Sequence, residues 1–408
     1  MNTNTIIIAL LIWGSVLFPG CQNKTISISP QAIDARVGSI NGTPVLQGSS
    51  ILEVPDYFVW GGSVVEGDDG RFHMLYATWE AGNDWPAFSN SWVLHSKIAY
   101  AVSDYPDKNF IPQKIVLKGR THEGDSTAWD AQMVHNPHIK KFNDRYYLYY
   151  IGARDPGVQP AGSQGAGLNK RNRVQQSQHI GVIEFDSFKD LLQGKFNRPK
   201  QPLLSPRTRV KKDNVVNPSP PGTIAKPDNL IVVNPSVVYR PNDKKYLLYF
   251  KGNIYDPNWR GVHGVAISDS PTGPFQPLDN HVFDMRTEDG KIASAEDPYV
   301  WYHKGNKCFY AVFKDFSGKI TGQEPGLAML QSVDGIKWEK PGNALFMKKE
   351  LTLSNGEKVK VDRLERPQIL VDENGNPQAV YLASSIEPAN KKTDGTTFNV
   401  QVSLRMKK

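Results

Sequence analysis

At 408 residues the chain is long enough for two domains, and its 48 Lys and Arg against 41 Asp and Glu leave a net charge of +7. The basic residues are dispersed apart from Arg207, Arg209, Lys211 and Lys212. That spread excludes a nucleic-acid-binding module and leaves a cationic surface that favours anionic substrates.

The chain begins with an apolar run from Ile6 to Phe18, too short to cross a bilayer and of the length of a signal-peptide core. It ends at Leu17-Phe18-Pro19-Gly20-Cys21, and a lone cysteine after an apolar run and a glycine resembles a bacterial lipoprotein signal. Residues 1–21 are therefore expected to be an export signal, with Cys21 as the lipidated first residue. The n-region has no Lys or Arg, and Phe18-Pro19 stands where small residues are usual. This predicts an exported protein, periplasmic or at the cell surface, held to the membrane by its lipid only. Residues 22–50 read as a polar tether, and 51–408 as the folded domain.

From there one phrase recurs five times. An apolar strand opens on a polar or small residue, usually followed by proline: Trp60-Gly61-Gly62-Ser63, His135-Asn136-Pro137-His138, Asn234-Pro235-Ser236, Glu296-Asp297-Pro298-Tyr299 and Glu365-Arg366-Pro367-Gln368. An aromatic strand follows, as in Tyr146-Tyr147-Leu148-Tyr149-Tyr150, and then a strand that closes on Ser-Asp or its equivalent, as at Ser103-Asp104 and Ser268-Asp269. Strands rich in Tyr, Phe, Val and Ile that cannot bury both faces alone must stack, so five units predict one all-β domain, a five-bladed β-propeller of four-stranded antiparallel sheets. Blade one spans about Asp56–Leu117. Blade two starts near Trp129 and carries an insertion at 155–178. A second insertion, Pro199–Pro227, lacks periodicity and reads as a long loop. Blades three, four and five are expected at Asp228–Pro277, Ala293–Lys340 and Asp362–Leu404, and one short helix at Phe188–Gln193. Long loops on a propeller shape the pocket above its axis.

The innermost strands line the axis, so their openings converge. They bring Glu296, Asp297, Glu365 and Arg366 together with His135, Asn136, His138 and Asn234, with Asp56, Asp130, Asp228 and Asp362 just upstream. Carboxylates, amides and imidazoles around one pocket suit glycosidic bond cleavage, which needs one carboxyl to give a proton and another to activate water or attack. Glu296 and Glu365 are the acid/base candidates and Asp130 the supporting carboxylate. Asp297 is read as holding Glu296 or capping the strand. The substrate-contacting candidates are Asp297, Arg366, His135, Asn136, His138, Asn234, His263, Trp60, Trp129 and Asp56, the indoles because sugar C–H faces stack on them. Arg154, Arg171, Arg173 and Arg366 are candidates to read a carboxylate or sulfate on the sugar. No His-x-x-x-His or carboxylate cage is present, so neither a metal site nor a cofactor is expected.

The blade openings, Tyr146–Tyr150, Ala266-Ile267-Ser268-Asp269-Ser270-Pro271-Thr272-Gly273-Pro274-Phe275 and Ala295-Glu296-Asp297-Pro298-Tyr299 resemble the propeller glycosidases of glycoside hydrolase families 43 and 117. The resemblance covers most of residues 56–404. It implies removal of a terminal sugar, generally with inversion, by three acidic residues on inner strands. Family 43 places its base as an Asp in the first opening, where this chain has Trp60-Gly61-Gly62-Ser63. A family 117 pattern with a His near its acids fits His135, His138 and His263 better. The reading is an exo-acting glycoside hydrolase on an oligosaccharide. A propeller glycoside phosphorylase and a non-catalytic glycan-binding lipoprotein are the alternatives.

Overall fold

The computed structural model describes residues 26–163, 165–207, 222, 224, 226–255 and 259–406. Residues 1–21, with Cys21, and the basic run Arg209, Lys211 and Lys212 lie outside the described residues.

Five antiparallel sheets stand around one axis. Their innermost strands are Tyr57–Glu66, Met133–Phe142, Val233–Arg240, Ala295–His303 and Arg363–Val371, and each touches the next, the last touching the first. Blade one continues through Phe72–Glu80, Lys97–Ser103 and Ile111–Leu117. Blade two adds Arg145–Ala153 and His179–Phe185, and its outer edge is reduced to the bridges Ile180–Leu204 and Glu184–Asn197. Blade three adds Lys245–Tyr255, Trp259–Ser268 and Gln276–Pro277, and blade four Cys308–Asp315, Gly326–Ser332 and Leu345–Lys348. Blade four thus runs past Lys340, because its fourth strand follows a loop.

Blade five has Pro377–Ser385 and Phe398–Met406 of its own, and its fourth strand is Ile28–Pro30 from the start of the described chain. The described part of 22–50 is therefore part of the domain, not a tether. Ile26, Ile33 and Leu46 are buried in the core between blades four and five, and pairing along Phe398–Met406 brings the first and last described strands together.

The continuous aromatic strands are explained by burial on both faces. Tyr146, Leu148 and Tyr150 point to the core shared with blade one, whereas Tyr147 and Tyr149 point to the core shared with blade three. Each buried phenol needs a partner. Tyr149, Tyr249 and Tyr381 donate to the carbonyls of Pro271, Gly335 and Pro106, at 2.8, 2.6 and 2.5 Å. Those carbonyls belong to the turns after Ser268, Ser332 and Ser103, the third-strand ends of the next blade. The recurrent serine thus closes a turn that the neighbouring blade holds.

Three short helices lie among the described residues, not one: α1 (Phe88–His95), α2 (Lys170–Gln175) and α3 (Phe188–Leu192). α3 is the expected helix. α1 and α2 lie in the insertions of blades one and two and pack on each other. α1 has one strong helix former, Leu94, and α2 is only six residues long, so buried Val93, Leu94 and Val174 hold them.

Candidate functional site

Every inner strand carries a bulge at the same height, and the bulged residue has a left-handed backbone: Gly61 (φ 48°), Asn136 (49°), Asn234 (55°), Asp297 (60°) and Arg366 (54°). Four of the five precede proline. The bulge turns these side chains toward the axis, where they form a connected floor. Asn136 donates to Asn234 (2.8 Å), and Asn234 donates to Asp297 (2.6 Å). The Arg366 backbone N–H donates to Asp297 (3.1 Å), and its guanidinium reaches Asp297 and the Pro137 carbonyl, both at 3.5 Å. Gly61 completes the ring without a side chain. A Cβ there would lie 3.3 Å from Arg366 and from Asn136 Oδ1. The space an acid in the first opening would need is taken by the Arg366 side chain.

Two residues further along, Ser63, His138 and Gln368 form a second polar layer. His138 and Ser63 meet Gln368 Oε1 at 2.9 and 3.0 Å, and His138 Nε2 accepts from the Val237 N–H at 2.9 Å. Burial, with the charge of Lys140 nearby, holds His138 neutral, its pKa down to about 3. His138 therefore plugs the channel below the floor and does not reach the pocket.

Above the floor lies a pocket of about 650 Å³, within the range of small-ligand sites. The residues just ahead of the bulges, Trp60, His135, Val233, Glu296 and Glu365, form its lower wall, and Asn136, Asn234, Asp297 and Arg366 also line it. α1, α2 and the 3-10 turn Ala389–Lys391 add Phe88, Trp92, Arg171, Asn172, Gln175 and Asn390. The blade-two insertion is thus a wall, as expected; among the described residues the Pro199–Pro227 loop adds none.

Glu296 and Glu365 sit on neighbouring blades around one ammonium. Lys314 Nζ lies 2.5 Å from Glu365 Oε1 and 4.0 Å from Glu296 Oε2. The two oxygens are therefore at most about 6.5 Å apart, a bound that takes in the roughly 5–5.5 Å of retaining glycosidases and meets the roughly 6.5–9.5 Å of inverting ones only at its limit. Lys251 also meets Glu296 at 3.0 Å, and Arg363 meets Glu365 at 2.7 Å. Burial opposes the charge on Glu296, but Lys251 and Lys314 outweigh it and bring its pKa down to about 2. Burial, reinforced by the Glu296 charge, pushes Asp297 up to about 7 against the pull of Arg366.

His135 meets Ser96 Oγ at 2.7 Å and stacks on Trp92 at 4.7 Å, and burial and the Arg366 charge keep it neutral. Besides His138, four expected site residues lie outside the pocket. Asp130 is fully buried, with Arg120 at 2.9 Å, Arg198 at 2.7 Å and the Tyr150 hydroxyl at 2.8 Å, so it anchors blade two and meets no pocket. Trp129 stacks on Tyr150 over Gly152 and Gly181, where a Cβ would strike its ring. His263 faces Phe283 and Phe313 in the core between blades three and four. Asp56 is an exposed turn residue whose carbonyl accepts from Ala81. Of the arginines, Arg173 pairs with Asp155 and Arg154 donates to the Thr127 carbonyl.

The cations Lys251, Lys314 and Arg363 were missed. The register contains the signal: Val233 pairs with Lys251 and Glu296 with Lys314, so both lysines stand opposite the residue ahead of the bulge. No group of three or more His, Cys, Asp or Glu placed to hold a metal ion occurs among the described residues.

No protein-family model and no curated protein sequence matches the chain. Solved structures do. A family 117 glycoside hydrolase of the marine bacterium Zobellia galactanivorans is 14% identical with a TM-score of 0.53, over 93% of this chain and 90% of that one. A thermostable family-43 glycoside hydrolase is 12% identical with a TM-score of 0.52, over 86% and 93%. An alpha-L-arabinofuranosidase from Lactobacillus brevis is 13% identical with a TM-score of 0.51, over 85% and 91%. At these identities the likeness is one of fold.

Proposed function

We propose that the chain is a glycoside hydrolase that releases a terminal sugar from an oligosaccharide, with Glu296 and Glu365 as its acid/base pair. The observation that carries this is the placement of two carboxylates around one ammonium in one pocket, near enough to flank one glycosidic bond. The fold neighbours named as glycoside hydrolases support it. A non-catalytic glycan-binding protein needs no such pair.

Glu296, held ionised by two lysines, takes the water-activating role. Glu365 takes the role of proton donor to the leaving oxygen. Asp297 and Arg366 fix the floor against which the ring sits. Trp60, Trp92 and Phe88 supply the apolar side. α1 and α2 narrow the mouth, which favours chain ends over mid-chain cleavage.

The test is release of a monosaccharide from aryl glycosides and from plant and algal oligosaccharides, with Glu296→Gln alongside. Release that the variant abolishes supports the reading. Binding of a glycan with no release by the wild type sinks it in favour of a binding protein. One observation favours a second reading, phosphorolysis: Lys251, Lys314 and Arg363 stand beside the carboxylates, where phosphate would attack. Release that requires phosphate and yields a sugar 1-phosphate identifies it.

Export and lipid attachment at Cys21 rest on the sequence. Labelling of the mature N-terminus by a fatty acid, lost in Cys21→Ser, is the expected outcome; an unmodified N-terminus in the membrane fraction rules it out.

A further inference from the structure

Four cationic side chains line the pocket, and three of them meet carboxylates: Lys251 meets Glu296, Arg363 meets Glu365, and Arg366 meets Asp297. Arg171 is different. Among the described residues it has no carboxylate partner. It spans the two helices at the mouth: Nη2 donates to the Ser89 carbonyl of α1 at 2.8 Å, and Nη1 donates to Asn172 Oδ1 at 3.0 Å and to Gln175 Oε1, both on α2. Its Nε–H is buried without a hydrogen-bond partner.

A guanidinium only donates, so it fixes how its neighbours are turned. Asn172 and Gln175 must offer it their oxygens, and their NH₂ groups are then left over. Both residues line the pocket. The α2 wall consequently presents N–H groups from three adjacent side chains around a positive charge that no carboxylate among the described residues balances. A charge removed from water without a counter-ion is costly, and burial pulls the Arg171 pKa down accordingly. An oxyanion entering the pocket would relieve that cost and accept the spare donors.

We propose that Arg171, Asn172 and Gln175 form an oxyanion subsite that holds a carboxylate or sulfate carried by the substrate sugar, on the wall supplied by the blade-two insertion. The proposal rests on the glycosidase reading for its substrate, and on the geometry of α2 for its chemistry. It makes the sugar a uronate or a sulfated hexose. The same subsite chemistry would take free inorganic phosphate, and the experiment separates the two.

The mature chain is titrated calorimetrically with glucuronate, galacturonate and galactose 6-sulfate, with glucose and galactose, and with inorganic phosphate. A charged sugar is expected to bind about tenfold or more tighter than its neutral parent, with the preference shrinking as salt rises. Arg171→Gln abolishes the preference. Arg171→Lys keeps a fraction of it, because an ammonium has the charge but not the planar fork. Asn172→Asp, which puts a carboxylate beside the guanidinium, removes it while leaving Arg171 and its Ser89 bond in place, and so guards against loss of α1–α2 packing in Arg171→Gln. Binding of phosphate alone, dependent on Arg171, keeps the subsite and assigns it to a free anion. Equal binding of charged and neutral sugars, a preference that survives Arg171→Gln, or no binding of any anion overturns the proposal. Because the readout is binding, it separates from the hydrolase reading. Arg171-dependent binding without turnover counts against hydrolysis alone, and hydrolysis with no charge preference counts against the subsite alone.

Discussion

Asp130 and the Glu296–Glu365 pair look alike in composition, carboxylates each met by two cations, and differ in what surrounds them. Asp130 is sealed, with Arg198 and Tyr150 bonded to one of its oxygens and Arg120 2.9 Å from the other. Glu296 and Glu365 share one ammonium between two carboxylates, and both open onto the pocket, with side chains 24% and 9% exposed. Where a carboxylate owns its cations and is cut off from ligands, the cluster is an anchor. Where two carboxylates compete for a cation at a pocket wall, a ligand can change the partnership.

The largest expected effect tests the open cluster. Glu296→Gln and Glu365→Gln should each lower kcat/KM per folded molecule by about 10²–10⁴-fold, the usual contribution of a positioned acid or base. Retained activity in either would break the comparison from that side.

Next is the sealed cluster. Asp130→Ala leaves Arg120 and Arg198 buried without their counter-ion, which should cost about 3–5 kcal/mol of stability in urea unfolding. Turnover per folded molecule should hold. A stable variant that has lost turnover would put Asp130 back among the catalytic residues.

The difference between the clusters also explains how much was legible beforehand. The five openings, the blade order and the convergence of Glu296, Asp297, Glu365 and Arg366 follow from a repeat of strands, since equivalent positions in a ring meet at its axis. Asp130, Trp129 and His263 were misplaced because a residue beside an opening lands on the axis or between blades according to strand alternation and side-chain length, and the repeat shows neither. Lys251 and Lys314 lie on second strands, and they come into view only when hairpin register puts them opposite Val233 and Glu296. The N-terminal strand was hidden because its partner, Phe398–Met406, lies at the other end of the chain. The glycine of the first opening, read as a missing acid, is explained by the Arg366 side chain that occupies its place.

A smaller effect comes from the shared ammonium. Lys314→Met removes one of the two lysines that hold Glu296 at about 2, so its carboxyl should rise toward its ordinary 4.5, and the acid limb of kcat/KM should move up by about one pH unit, equivalent to ~1.4 kcal/mol. The sign carries over to stability. A depressed carboxyl stabilises the fold above its unfolded pKa, so Glu296 contributes fully above about pH 4.5, and that contribution drains away as pH falls toward about 2. Asp297 acts oppositely: its raised pKa favours the protonated native form, and its penalty grows as pH rises from 3.8 to about 7. Acid unfolding of Lys314→Met should therefore be shallower than that of the wild type. Superimposable curves would mean that Lys251 alone holds Glu296.

The smallest effect lies away from both clusters. Tyr381 of blade five donates to the Pro106 carbonyl in the turn that closes blade one, and so helps hold the first and last blades together. Tyr381→Phe keeps the ring in its core and removes one hydrogen bond, leaving a half-buried carbonyl unpaired. The expected loss is about 1 kcal/mol, and the pH profile should stay put, because no pocket residue depends on that turn. Tyr249→Phe, which breaks the equivalent bond between blades three and four, should cost a similar amount if the bond itself is what matters. A clearly larger loss at Tyr381 would show that the seam between the first and last blades is weaker than the others, since the last blade draws its outermost strand from a segment far away in sequence.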